Sequence, residues 1–155
     1  MTVEQKLSSL GLDLPVPPTP AGNYQGWAQL DRLLFVGGNI GRLNGQPLKY
    51  TGKVGAEVTV PQAYEMARCC ALNHLAAIKA ALGGFERVER IVKVNGYVNV
   101  APGFVEMPSV INGESDLLVE VFGEARGHHA RVALGVASLS RGAPVETEVI
   151  VQIRA

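Results

Sequence analysis

The chain has 155 residues, 47% hydrophobic and 18% charged, a size and balance suited to one domain with a single core. Its 14 Lys and Arg are matched by 14 Asp and Glu, so no basic field exists to hold a phosphate backbone, and nucleic acid is excluded as an expected partner. The low charged fraction leaves less solvated surface than a monomer usually presents, which points to self-association.

Residues 2–10 read as a short helix, with Thr2 as N-cap, Gln5 as its capping-box partner and Gly11 as the stop. This N-terminus has no apolar leader core or cleavage signal, and no later stretch is long enough to span a bilayer. A soluble, cytoplasmic protein without a membrane partner is expected. "LDLPVPPTPAGNY", residues 12–24, holds four of the nine prolines and reads as a fixed extended connector. Strands are predicted over 25–30 and 33–36, joined by a tight turn at "LDRL". "GGNIGRLNGQPLKYTG", residues 37–52, reads as a glycine-rich loop. Its glycines do not open a helix after a strand in the dinucleotide-binding manner, so no cofactor is expected.

The clearest helix covers 61–82. Pro61 suits its first turn, Gly83–Gly84 its stop, and Tyr64, Ala67, Ala71, Leu75, Ile78 and Leu82 form one apolar stripe. Cys69 and Cys70 are adjacent on this helix and point about 100° apart, which excludes a disulfide between them. With three scattered histidines they offer no metal-ligand spacing. His74, beside the stripe, reads as structural. "FERVERI", residues 85–91, reads as one further helical turn, and 91–100 as a strand. After "APGF" a second helix is predicted over 107–124, with Pro108 in its opening turn. Asn112, Ser115 and Asp116, near its start, could reach a cleft; capping and solvation are the ordinary account of them.

Two alternating runs, 131–139 and 146–154, read as strands linked by the turn "SRGAP". The order β-β-α-β-α-β-β gives an α+β two-layer domain over residues 1–155, a mostly antiparallel sheet covered on one face by two helices. Residues 1–20 form its N-terminal helix and proline-rich arm. In the first run Arg131, Ala133, Gly135 and Ala137 share one face, and Val132, Leu134 and Val136 the other. The larger side chains are expected to meet the helices, leaving the small face for a second subunit. Glu146 and Glu148 share a face of the last strand, at the edge of that seam or in solvent.

Four stretches, "PAGNY" (20–24), "LLFVGGNIG" (33–41), "NGYVNV" (95–100) and "ARVALGVASLSRGAPVETEVIV" (130–151), run in order along a chain that resembles the Rid/YjgF family of small trimeric enamine and imine deaminases. The last is the most specific, setting an arginine and a glutamate fifteen positions apart across what reads as a hairpin. The longer "INGESDLLVEVFGEARGHHAR" segment and the proline-rich entry place the chain in a divergent branch. The resemblance implies a chorismate-mutase-like fold and a homotrimer whose sheets line a central barrel, with sites between subunits. It also implies that Arg131 grips the carboxylate of a small substrate, a role that guanidinium geometry suits, and that Glu146 handles water and protons. Tyr24 would line the pocket and Gly38 would let the backbone approach the ligand.

The pattern departs from the imine deaminases at Gly37, where a serine is frequent, and at Ala133, where a cysteine is frequent. The first removes a hydrogen-bond donor and the second widens or repacks the pocket. The expected activity is hydrolysis of 2-imino or enamino acids to a 2-keto acid and ammonia, without cofactor or metal. Non-catalytic binding or sensing of small carboxylates is the alternative, and the zero net charge disfavours a ribonuclease. His128 and His129 titrate in a useful range, but they stand at a loop-to-strand corner.

Overall fold

The computed structural model describes residues 1–155. Helix α1 (Val3–Ser9) carries the expected capping box between Thr2 and Gln5. It is followed by β1 (Trp27–Leu30), β2 (Leu33–Asn39), α2 (Val60–Leu82), β3 (Val88–Asn99), α3 (Met107–Phe122), the short α4 (Glu124–Gly127), β4 (Ala130–Val136) and β5 (Val145–Ile153). A 3-10 turn at Ser140–Gly142 separates the last two strands. The α+β reading holds: five strands form one sheet in the order β1-β2-β5-β3-β4, antiparallel except for the parallel β3–β4 pair. Both long helices lie on one face, α2 over β2 and β5 and α3 over β3 and β4.

The interior follows from the residue pattern. Val145, Thr147, Val149, Val151 and Ile153 alternate inward on β5, and Val94, Gly96 and Val98 on β3. Alanines on the buried side of α2 keep it low over the sheet, and Gly113 of α3 fits against it, where a Cβ would lie 2.0 Å from the Tyr64 carbonyl oxygen. α2 starts on a capping box from Thr59 to Gln62 and stops at Gly83 in the left-handed region, where glycine carries no Cβ penalty.

Four expectations are corrected. "FERVERI" is not helical: the chain turns after α2, Phe85 packs edge-on against Phe122, and β3 begins at Val88. Two register irregularities place Val88, Ile91 and Val94 inward at three-residue steps, imitating a helical period on a strand. Gly37, Gly38 and Asn39 belong to β2, not to a loop, and the β2–β5 register shifts there. The last two strands make no hairpin, because β3 lies between β4 and β5. The faces of β4 are also reversed. Arg131 and Ala133 turn toward α3, while Val132 and Leu134 stand on the open face of the sheet, Leu134 at 51% exposure. The small residues serve close packing within the chain: Gly135 lies against Val100, where a Cβ would be 3.0 Å from its side chain.

Candidate functional site

Arg131 stands at the start of the edge strand β4, beside Val94 of β3, and reaches across to α3. Its Nη1 donates to Asn112 Oδ1 at 2.7 Å and to Ser115 Oγ at 3.1 Å, and its Nη2 donates to the Pro108 carbonyl at 3.4 Å. Three acceptors fix the plane of the guanidinium, and no carboxylate of the chain pairs with it. The open recess beside it has a volume of about 490 Å³ and includes Ser115, Asp116, His128 and His129 in its wall. Ser115 lies in mid-helix and does not cap α3, whose N-cap position is Glu106. Asp116 accepts the Tyr64 hydroxyl at 2.7 Å. Ala133, two residues along β4, faces the core below the recess.

Glu146 begins β5 opposite Tyr97, on the open face of the sheet. Its carboxylate lies against Gly38, where a Cβ would fall 2.6 Å from Oε1; the neighbour of this glycine within the chain is the flexible end of the Glu146 side chain. Half-burial pushes the Glu146 carboxyl above its ordinary value, and the neighbouring Glu148 charge adds to the effect. Glu148 itself is not merely solvated: it accepts from Asn95 Nδ2 and the Tyr97 hydroxyl, each at 2.9 Å. A cleft of about 550 Å³ extends from Glu146 past Gly38 and Tyr24 to the proline-rich arm, with Arg42 and Arg141 on its rim. Tyr24 is mostly exposed, and its hydroxyl accepts from the Ala21 amide at 3.1 Å.

The candidate residues therefore fall into two groups, two candidate half-sites. β3 separates β4 from β5, and Arg131 is level with Val94 while Glu146 is level with Tyr97, three residues further along β3, so their backbones stand about 14 Å apart and their side chains point to opposite faces. Tyr24, Gly38 and Glu146 are brought together; Arg131, Ser115 and Ala133 are brought together; one chain does not join the two groups.

Gly37 does something the sequence did not suggest. Its amide donates to the Gly26 carbonyl at 2.9 Å, and its carbonyl points inward, 3.3 Å from His74 Nε2. His74 Nδ1 pairs with Glu114 Oε1 at 2.8 Å, at 1% and 0% exposure. This buried pair ties the Gly37–Gly38 peptide of one half-site to the residue beside Ser115 in the other. His74 is structural, as expected, but its partner Glu114 had no signal: a glutamate on an amphipathic helix reads as solvated until the tertiary fold buries it. A loop-to-strand corner likewise gave no sign that His129 Nε2 lies 2.9 Å from Ser115 Oγ of α3. Cys69 and Cys70 are free thiols. No helix is long and apolar enough to cross a membrane.

A family model described as YjgF/chorismate-mutase-like, with an endoribonuclease label, matches residues 4–142. Protein TCP17 of Trypanosoma cruzi is 42% identical over 97% of this chain and 94% of its own length. The crystal structure of Atu1372, a protein of unknown function from Agrobacterium tumefaciens, is 41% identical with a TM-score of 0.90, covering 99% of this chain and 93% of that one. A Shewanella oneidensis structure labelled an endoribonuclease is 31% identical with a TM-score of 0.93, covering 98% and 99%.

Proposed function

The chain belongs to the YjgF/chorismate-mutase-like family, and from that premise we propose that it hydrolyses small 2-imino or enamino acids to a 2-keto acid and ammonia. The observation that carries this reading is Arg131, a planar cation fixed by three acceptors of its own chain at the mouth of an open recess and paired with no carboxylate. Two parallel N–H donors match the two oxygens of a substrate carboxylate, which sets the plane of the adjacent C=N bond.

Glu146 supplies proton exchange with water and with the departing nitrogen. It faces away from Arg131 within one chain, so the complete site takes Glu146, Gly38 and Tyr24 from a second copy, as in a homotrimer with sites between subunits. Association would cover the open sheet face, where Leu30 is 64%, Phe35 39% and Leu134 51% exposed. Burial of such side chains drives association.

The test couples an amino-acid oxidase, generating 2-iminopropanoate in place, to a readout of imine decay, with Arg131→Ala and a no-protein blank as controls. Acceleration lost in the variant is the expected result; a rate equal to the blank would refute the deaminase. A second reading, a carboxylate-binding protein without turnover, draws on Gly37, beside Gly38 and Tyr24, and on Ala133, below the Arg131 recess, neither of which carries a side-chain donor. Calorimetric binding of pyruvate without imine turnover would select it. The zero net charge argues against the endoribonuclease label.

A further inference from the structure

Ser115 and His129 form an arrangement that neither a carboxylate anchor nor helix capping requires. Ser115 Oγ lies 2.9 Å from His129 Nε2 and 3.1 Å from Arg131 Nη1, and His129 Nδ1 lies 2.6 Å from the Gly127 carbonyl oxygen. A carbonyl only accepts, so Nδ1 carries the proton of the neutral ring and Nε2 presents its lone pair. A guanidinium only donates, so Ser115 Oγ accepts from Arg131 and aims its own proton at Nε2. Every hydrogen-bond direction from Arg131 through Ser115 and His129 to Gly127 is thereby set. A hydroxyl pointed at the free nitrogen of a neutral imidazole, beside a cation, is activated in the sense that acid–base catalysis uses.

We propose that Ser115 and His129 form a proton relay at the Arg131 anchor and supply the base for addition of water to the bound imino acid. The proposal rests on the deaminase reading and divides its acid and base roles between two groups. In the addition step a water oxygen bonds to C2. Its proton passes to Ser115 Oγ as the Ser115 proton passes to His129 Nε2, and the C=N electron pair moves to nitrogen, which takes a proton from the Glu146 carboxyl. In the collapse step the new hydroxyl returns a proton to Glu146. His129, through Ser115, gives its proton to nitrogen, the C–N bond breaks and ammonia leaves with the electron pair. Both catalytic groups end as they began.

The surroundings suit a base. Burial lowers the His129 pKa from its ordinary value, with Arg131 and His128 acting the same way and Gly127 and Glu114 opposing. The other charged groups toward the recess are Asp116 and Glu120 of α3, the latter paired with Arg68 of α2. The relay also stands on the same chain and the same side of the sheet as the anchor, unlike Glu146.

The experiment compares the wild type with His129→Gln and Ser115→Ala in the oxidase-coupled assay across acid and neutral pH, with circular dichroism as the check on folding. In His129→Gln, kcat is expected to fall about 100-fold, with pyruvate affinity by calorimetry unchanged and the acid limb of the wild-type kcat/KM profile gone. Ser115→Ala should lose turnover comparably. Wild-type turnover and an unaltered pH profile in folded His129→Gln would overturn the relay. If the wild type does not accelerate imine decay, the deaminase reading has failed instead, and diisopropyl fluorophosphate then decides about the pair. Labelling of Ser115 that depends on His129 supports it; absent or His129-independent labelling overturns it.

Discussion

At one edge of the sheet Arg131 is held by three acceptors of its own chain, whereas Glu146 lies in a cleft where no donor of its own chain binds its carboxylate. The Arg131 recess is rigid before a ligand arrives: α3 supplies Asn112, Ser115 and the Pro108 carbonyl, and a backbone carbonyl fixes His129. The Glu146 cleft is walled by a proline-rich arm, a glycine and an exposed tyrosine. The difference teaches where preorganisation is spent. On the proposed reading, substrate orientation is fixed within one chain, where ordering costs are met on folding, and the carboxylate assigned to proton exchange is enclosed only on association.

The comparison is most severely tested through the one device that touches both halves. Removing a partner from the buried His74–Glu114 pair leaves a polar ring nitrogen unpaired, at a cost of about 1–3 kcal/mol. Glu114→Leu should therefore lower Tm by about 5 °C and weaken both pyruvate binding and turnover, since His74 holds the Gly37 carbonyl and Glu114 neighbours Ser115. Unchanged melting would show that the pair holds neither half-site.

Substitution of the anchor separates the halves. Arg131→Ala removes a desolvated charge contact, which costs about 2–5 kcal/mol of binding, so calorimetry should show pyruvate affinity falling by about 100-fold. Tm should hardly move, because the partners of Arg131 are partly exposed. At the other half, Gly38→Ala pushes a methyl group onto Glu146 Oε1. The carboxylate end is flexible and gives way, so the fold survives while turnover drops about tenfold, or about 1.4 kcal/mol. Pyruvate affinity should be retained. Loss of affinity in Gly38→Ala, or loss of stability in Arg131→Ala, would dissolve the distinction between the half-sites.

Much of this arrangement was legible in the sequence. The Thr2–Gln5 capping box, the Gly83 stop, the alanine-rich face of α2 and the alternation on β5 are local patterns, and each survives in the fold. The half-sites were legible as residue types through the family resemblance. What could not be read is which strands lie side by side. The run from Arg131 to Glu146 looks like a hairpin, and only the insertion of β3 between β4 and β5 turns the two residues from neighbours into separate halves. The same long-range pairing reversed the faces of β4. Alternation says that two faces exist, and only the position of α3 decides which is covered.

The smallest expected effect reads the Glu146 cleft without any substrate. Its carboxyl titrates above the ordinary value of 4.5 because half-burial and Glu148 disfavour the charge. The folded chain thus binds this proton more readily than the unfolded chain. The stabilisation is full below the unfolded value, is lost as pH rises through the window between the two values, and leaves the ionised group a net cost above it. Glu146→Gln removes that cost. At neutral pH the variant should melt slightly higher than the wild type, by about 1–2 °C given the solvent screening of a half-exposed group. Below the unfolded value the two should melt together. A variant that melts lower at neutral pH would mean that the ionised carboxylate is held by partners, and the cleft would then be as prepared as the recess across the sheet.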